Sequence, residues 1–175
     1  MAATNRSGSR LLRLLKHRRW DVTDARRLLN PAALQRLAAQ VTASEAGHSG
    51  EIRICVEAGL PLSYLWRRAG ARERAIAMFG KLRVWDTEHN NGVLVYLLLA
   101  ERTIELVADR GLNHQVDAAT WARVIAGLRE AFSQGQWEPG LGHAVAEIDA
   151  LLRQHFPLTG ERQLNELPDA VVILG

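Results

Sequence analysis

The chain has 175 residues, of which 47% are apolar and 23% charged. That is the balance of one ordinary globular domain and excludes a disordered chain. A lone cysteine, Cys55, excludes a disulfide framework. The net charge of +3 conceals an uneven distribution: residues 1–40 hold nine basic and two acidic groups, whereas residues 41–175 hold 13 and 17.

The basic excess therefore belongs to the start of the chain. We divide the sequence into a basic amphipathic arm, residues 1–29, and an α/β domain, residues 30–175. Residues 1–9 are small and polar and predict no regular structure. From Arg10 to Trp20, leucines at 11, 12, 14 and 15 are interleaved with basic residues, which predicts a short amphipathic helix. Such a helix either packs on the domain or adsorbs to an anionic membrane surface, where each basic residue contributes about 1 kcal/mol. Its leucines stand where nucleic-acid stacking groups would be needed, which argues against a nucleic-acid partner. The longest apolar run, Gly92–Ala100, is too short to span a bilayer. No cleavable leader is expected, and the predicted compartment is the cytoplasm, extending to the inner membrane face.

Asn30-Pro31 predicts a helix start, with Asn as the cap and Pro in the first turn. The helix runs to about Ala46 on a face of Leu34, Leu37, Ala38 and Val41. Residues 51–57 alternate, with Ile52, Ile54 and Val56 on one side, and predict a strand. Cys55 points the other way and reads as a small buried hydrophobe. One helix is expected over residues 62–80, with Tyr64, Leu65, Ala69, Ile76 and Phe79 buried and Arg72–Arg74 exposed. Residues 92–100 and 103–108 predict an antiparallel hairpin turning at Glu101-Arg102. Two helices follow, one on Trp121, Val124, Ile125, Leu128 and Phe132, the other on Leu141, Val145, Ile148, Leu152 and Phe156. Residues 158–170 predict a loop, and Val171–Leu174 an edge strand or a cover for a groove. This order is that of a three-layer α/β/α sandwich with a small mixed β-sheet. The five tryptophans are dispersed and are read as core or rim packing.

Polar residues concentrate in two loops, Asp86–Gly92 before the central strand and Asp109–His114 after its partner. In an antiparallel pair the entry to one strand lies beside the exit of the other. Asp86, His89, Asn90, Asp109 and Arg110, with His114 near them, should therefore converge on one end of the sheet. Three readings apply. Asp and Asn side chains build turns, with Gly92 and Gly111 supplying positive φ. Alternatively, Asp86, Glu88 and Asp109 offer hard oxygens suited to calcium or magnesium. The third is a site for phosphate esters, in which Arg110 holds the phosphate and an aspartate assists. No serine, threonine or cysteine lies in a recognisable nucleophile motif.

A series of short motifs gives the sequence a family resemblance. It comprises Val84-Trp-Asp-Thr-Glu-His-Asn-Asn-Gly-Val-Leu-Val-Tyr96, Ile104-Glu-Leu-Val-Ala-Asp-Arg-Gly111, Phe132, Gly140-Leu-Gly-His-Ala144, His155-Phe-Pro157 and Asn165-Glu-Leu-Pro-Asp169. In this order they resemble the TPM domain family, in particular its small soluble bacterial subgroup that carries the Asn-Glu-Leu-Pro-Asp tail. The resemblance implies an α/β/α sandwich and places Asn91-Gly92 and Gly111 at family positions. Because some plant members are described as acid phosphatases with bound calcium, it also implies calcium and phosphatase chemistry as one option. A LemA-type membrane protein is the partner context it suggests. The leading expectation is a non-catalytic, partner-binding accessory domain serving membrane or envelope proteins. The alternatives are a divalent-cation-dependent phosphatase and a self-association module that pairs through Val171–Leu174.

Overall fold

The computed structural model describes residues 5–158 and 167–175. Its elements, in chain order, are α1 (Asn5–Arg18), α2 (Val22–Leu28), α3 (Pro31–Glu45), β1 (Ile52–Glu57), α4 (Leu62–Trp66), α5 (Ala71–Lys81), β2 (Val93–Leu98), β3 (Thr103–Ala108), α6 (Arg110–Asn113), α7 (Ala118–Ser133), α8 (Trp137–His155) and β4 (Val172–Leu174). The sheet order is β3-β2-β1-β4. β1 runs parallel to β2 and to β4, while β2 and β3 are antiparallel. This is the three-layer α/β/α sandwich with a mixed sheet that the residue pattern predicts.

Alternation along the strands separates two apolar cores. Ile52, Ile54, Val56, Val93, Val95 and Leu97 join α3, α7 and α8 on one side. Cys55, Leu94, Tyr96 and Leu98 face α5 on the other. β2 is buried at every position, as a central strand covered on both faces must be. The tail returns alongside β1, so that Val172–Leu174 pairs within the same chain. Of the expected loop at 158–170, residues 159–166 lie outside the described residues, and with them Asn165 and Glu166.

Several details differ from the sequence reading. Regular structure begins at Asn5, inside the stretch expected to lack it. α2 was not expected. Asp21 caps it and Asp24 returns the bond at the third helical position, a reciprocal capping box. Ala25 and Leu29 of this segment enter the first core.

The helix expected over 62–80 is two helices. The chain breaks at Arg67–Gly70, where Arg68 takes φ 61°. The break resets the helical phase, so that α5 buries Ala71, Arg74, Ala75 and Met78. Ile76, expected in the core, is exposed, and Arg74, expected outside, is buried.

Candidate functional site

The two polar loops meet at one rim of the sheet. Asp109 N–H donates to Gly92 O at 2.9 Å, and Gly111 N–H donates to Asn90 O at 2.8 Å. The segment leading into β1 joins them through Asn91 Nδ2, which donates to Ser49 Oγ at 3.1 Å. Ser49 is in turn tied to the end of α8, its N–H donating to Phe156 O at 3.0 Å. Because β1 and β2 are parallel, this rim lies at their amino ends.

The glycines act here through close approach and not through positive φ. A Cβ at Gly92 would lie 2.0 Å from Val84 O, and one at Gly111 would lie 2.6 Å from His89 O. The left-handed residue of the rim is Asn90, with φ 53°, a conformation that asparagine tolerates better than most side chains.

Asn91 and Asp109 are the buried polar residues of the predicted set. Asp109 precedes α6 and its Oδ1 accepts from Arg110 N–H at 2.6 Å. Asp109 Oδ2 and Asn91 Oδ1 are buried without a hydrogen-bond partner. Asn91 N–H donates to Thr87 Oγ1 at 3.1 Å, which fixes the loop from within. Asp86, Glu88, His89, Asn90, Arg110 and His114 are exposed around these two. Among the described residues no three His, Cys, Asp or Glu side chains gather as a group able to hold a metal ion. Asp109 Oδ2 and Asn91 Oδ1 are thus turned inward at the rim, while Asp86 and Glu88 lie exposed beside them.

Cys55 is fully buried. Burial, with the Glu57 carboxylate beside it, pushes its thiol up to about 12. It stays protonated at neutral pH and is no nucleophile.

A second surface is formed by α1 and the segment containing α4. Arg13 of α1 donates from Nη2 to Ala69 O at 2.7 Å, and His17 Nδ1 accepts from Leu60 N–H at 3.0 Å. These bonds set α1 against the segment containing α4. They leave Leu11, Leu12 and Leu15 on its outer side, while Leu62 and the 88%-exposed Trp66 stand out on α4. Lys16, Arg18, Arg19, Arg67 and Arg68 are exposed on the same two segments.

Two contributions escaped the sequence reading. Ser49 follows the predicted end of α3, and nothing local marks it as a rim residue. Leu62 falls within the helix predicted over 62–80 without a place on its buried face, and Trp66 among the tryptophans read as core or rim packing; both are exposed.

A family model described as TPM domain matches residues 22–151. The fold is similar to that of BA42 protein from the psychrophilic bacterium Bizionia argentinensis, solved by NMR, with a TM-score of 0.73 and 24% identity. The likeness covers 83% of this chain and 94% of that one. No curated protein matches the sequence.

Proposed function

The chain belongs to the TPM domain family, and we propose that it is a non-catalytic, partner-binding accessory domain that docks on an anionic membrane surface. The observation that carries this reading is the set of apolar side chains left in water on α1 and α4, Leu11, Leu12, Leu15, Leu62 and Trp66, among exposed basic residues. Leucine and tryptophan gain by entering the headgroup boundary, and each nearby cation adds about 1 kcal/mol on an anionic surface. Among the described residues no helix is long and apolar enough to cross a membrane, so this would be attachment from one side. The domain would then present its remaining surface to a membrane-protein partner, of which a LemA-type protein is the candidate class, at the cytoplasmic face.

Co-sedimentation of the full chain with phosphatidylglycerol vesicles tests the docking. The expected result is pelleting with these vesicles and not with phosphatidylcholine, abolished by Leu12→Glu with Trp66→Ser. Pelleting that ignores both lipid charge and these substitutions removes the reading.

A second reading rests on the two unpartnered buried oxygens, Asp109 Oδ2 and Asn91 Oδ1. Hard oxygens of this kind suit calcium or magnesium, and Arg110 stands beside them to meet a phosphate ester. A bound cation would supply charge for polarising the phosphoryl oxygens. The residues would hold and orient it, with Asp109 as the anionic ligand. Titration with either ion should raise the melting temperature by mass action, and Asp109→Asn should abolish the rise. No rise at millimolar ion, together with no hydrolysis of an aryl phosphate, eliminates this alternative.

A further inference from the structure

At the end of the sheet opposite the rim, a cavity of about 350 Å³ opens between β2, β3 and the α7–α8 pair. In open α/β sheets, ligands settle outside the carboxyl ends of the parallel strands. The carboxyl end of β2, at Leu97–Leu99, forms part of this cavity, whereas Asp109 and Asn91 lie at the other end. The volume falls at the lower end of the range for small-molecule sites, about 300–1,000 Å³.

The walls are apolar and partly aromatic. Trp20, Leu99, Ile104, Phe132 and Trp137 line it. Phe132 and Trp137 stack with centroids 4.5 Å apart, which braces one wall. Polar groups are few: Arg102, Arg129, Thr103 and Ser133. Both arginines are exposed, so their charged ends are hydrated at the mouth while the interior is apolar. Neither makes an ion pair among the described residues. Two unpaired guanidinium groups beside a narrow apolar cavity match one kind of molecule, a single-chain amphiphile with an anionic head.

We infer that this pocket binds a medium-chain fatty carboxylate, its chain between Trp20, Ile104, Phe132 and Trp137 and its carboxylate on Arg102 and Arg129. A guanidinium presents a planar fork that meets a carboxylate through two parallel bonds. The limited volume favours one chain over the two of a diacyl lipid. Arg102 is held in the hairpin turn, its N–H donating to Leu99 O at 3.0 Å and its φ at 52°. Arg129 projects from α7, so the two cations come from different elements and their spacing depends on the folded domain. Trp20 also borders the groove of Leu12 and Leu15, but none of Leu11, Leu12, Leu15, Leu62 and Trp66 lines the pocket itself.

Calorimetric titration of the full chain with decanoate, below its micelle concentration, tests the inference. Saturable binding is expected. Arg102→Asn combined with Arg129→Gln should weaken it about tenfold or more, as loss of charge-assisted bonds requires. Asparagine tolerates the positive φ of the turn, so the melting temperature should hold. Decanol should bind more weakly than decanoate to the native chain and equally to both proteins. Ser133→Trp, filling the mouth, should block both ligands. Absence of saturable decanoate binding, equal binding by the double variant, or decanol binding as tightly as decanoate each overturns the assignment. So does a preference for decanoyl-lysophosphatidylglycerol, which would make the ligand a lipid.

Discussion

Glu57 at the end of β1 and Arg74 on α5 form a buried ion pair, with Arg74 Nη2 2.6 Å from Glu57 Oε1 and Arg74 Nε 2.8 Å from Glu57 Oε2. Tyr96 of β2 donates its hydroxyl to Glu57 Oε2 at 2.6 Å. The hydrogen bonds from Arg74 occupy both carboxylate oxygens, and those same bonds hold the guanidinium above its usual range. The group joins β1, β2 and α5 inside the second core. Removing one partner leaves the other charged and buried, which costs about 3–5 kcal/mol. Arg74→Met should show that loss in urea unfolding. Tyr96→Phe, which removes one bond to a charged group, should cost about 1.5–3 kcal/mol. An Arg74→Met protein as stable as the native one would refute this account of the second core.

The amino-terminal helix is attached through a different acid. Glu101 Oε1 accepts from Arg13 Nε at 2.8 Å and lies 3.0 Å from His17 Nε2. Burial pushes the Glu101 carboxyl up, but the bonds and charges of Arg13 and His17 together outweigh it and hold the group below its ordinary value. A lowered carboxyl pKa gives stability that is present above the unfolded value and lost as pH falls through the folded one. Amide exchange over residues 11–18 should therefore accelerate below about pH 4.5 before the strands respond. Glu101→Gln should produce the same early exchange at neutral pH. Uniform exchange behaviour in helix and sheet would contradict local release of α1.

These attachments explain what could be read from the residues alone. Ile52, Ile54 and Val56 lie on one core and Cys55 on the other, because strand alternation needs no knowledge of partners. The meeting of the Asp86 and Asp109 loops followed from the hairpin, a local pairing. The parallel pairing of β1 with β2 depends on distant segments, and it decides that the rim is an amino end. The cap at Asp21 with Asp24 three residues on was a readable start signal for α2, masked by the basic residues around it. The Arg74–Glu57 bond was not readable: a helix break reset the phase of α5, and only folding brings the two charges together. Of the site, Asn91 and Asp109 were found by type and position, but their burial and the exposure of Asp86 and Glu88 depend on how the loop folds over Val84.

The loop geometry makes its own prediction. At Gly92 an added methyl group would lie 2.0 Å from Val84 O, a backbone atom that cannot yield without moving the rim. Gly92→Ala should cost about 3 kcal/mol or more and broaden the amide signals of residues 84–92 in NMR spectra. Gly80, inside α5, has nothing within 4 Å of its would-be Cβ. Gly80→Ala should stabilise the protein by about 0.5–1 kcal/mol through lower chain entropy. The two substitutions are chemically identical, so opposite signs isolate contact as the cause. Equal effects would mean that the approach to Val84 does not constrain the rim.

A half-buried acidic group links the tail to α3. Glu45, in the last turn of α3, faces the carboxylates of Glu51 and Asp169. Burial first, then the charges of Glu51 and Asp169, push its carboxyl up to about 9. Arg53, under the influence of the same charges, is held below its usual value by burial despite Asp169. A raised carboxyl pKa means that the folded protein keeps a proton the unfolded chain has already released. The contribution is complete below the ordinary carboxyl value of about 4.5 and is lost as pH rises toward about 9. Glu45→Gln keeps the neutral shape and removes the titration. The variant should gain on the native protein as pH rises, by about 1 kcal/mol near pH 8 after solvent screening of a half-buried group. That corresponds to about 2–4 °C in Tm for a domain of this size, and the gap should narrow toward pH 4. Thermal unfolding of both proteins across this interval measures it. A constant gap would show that Glu45 does not hold the proton, and a native advantage at high pH would show that its ionised form is the one the fold prefers.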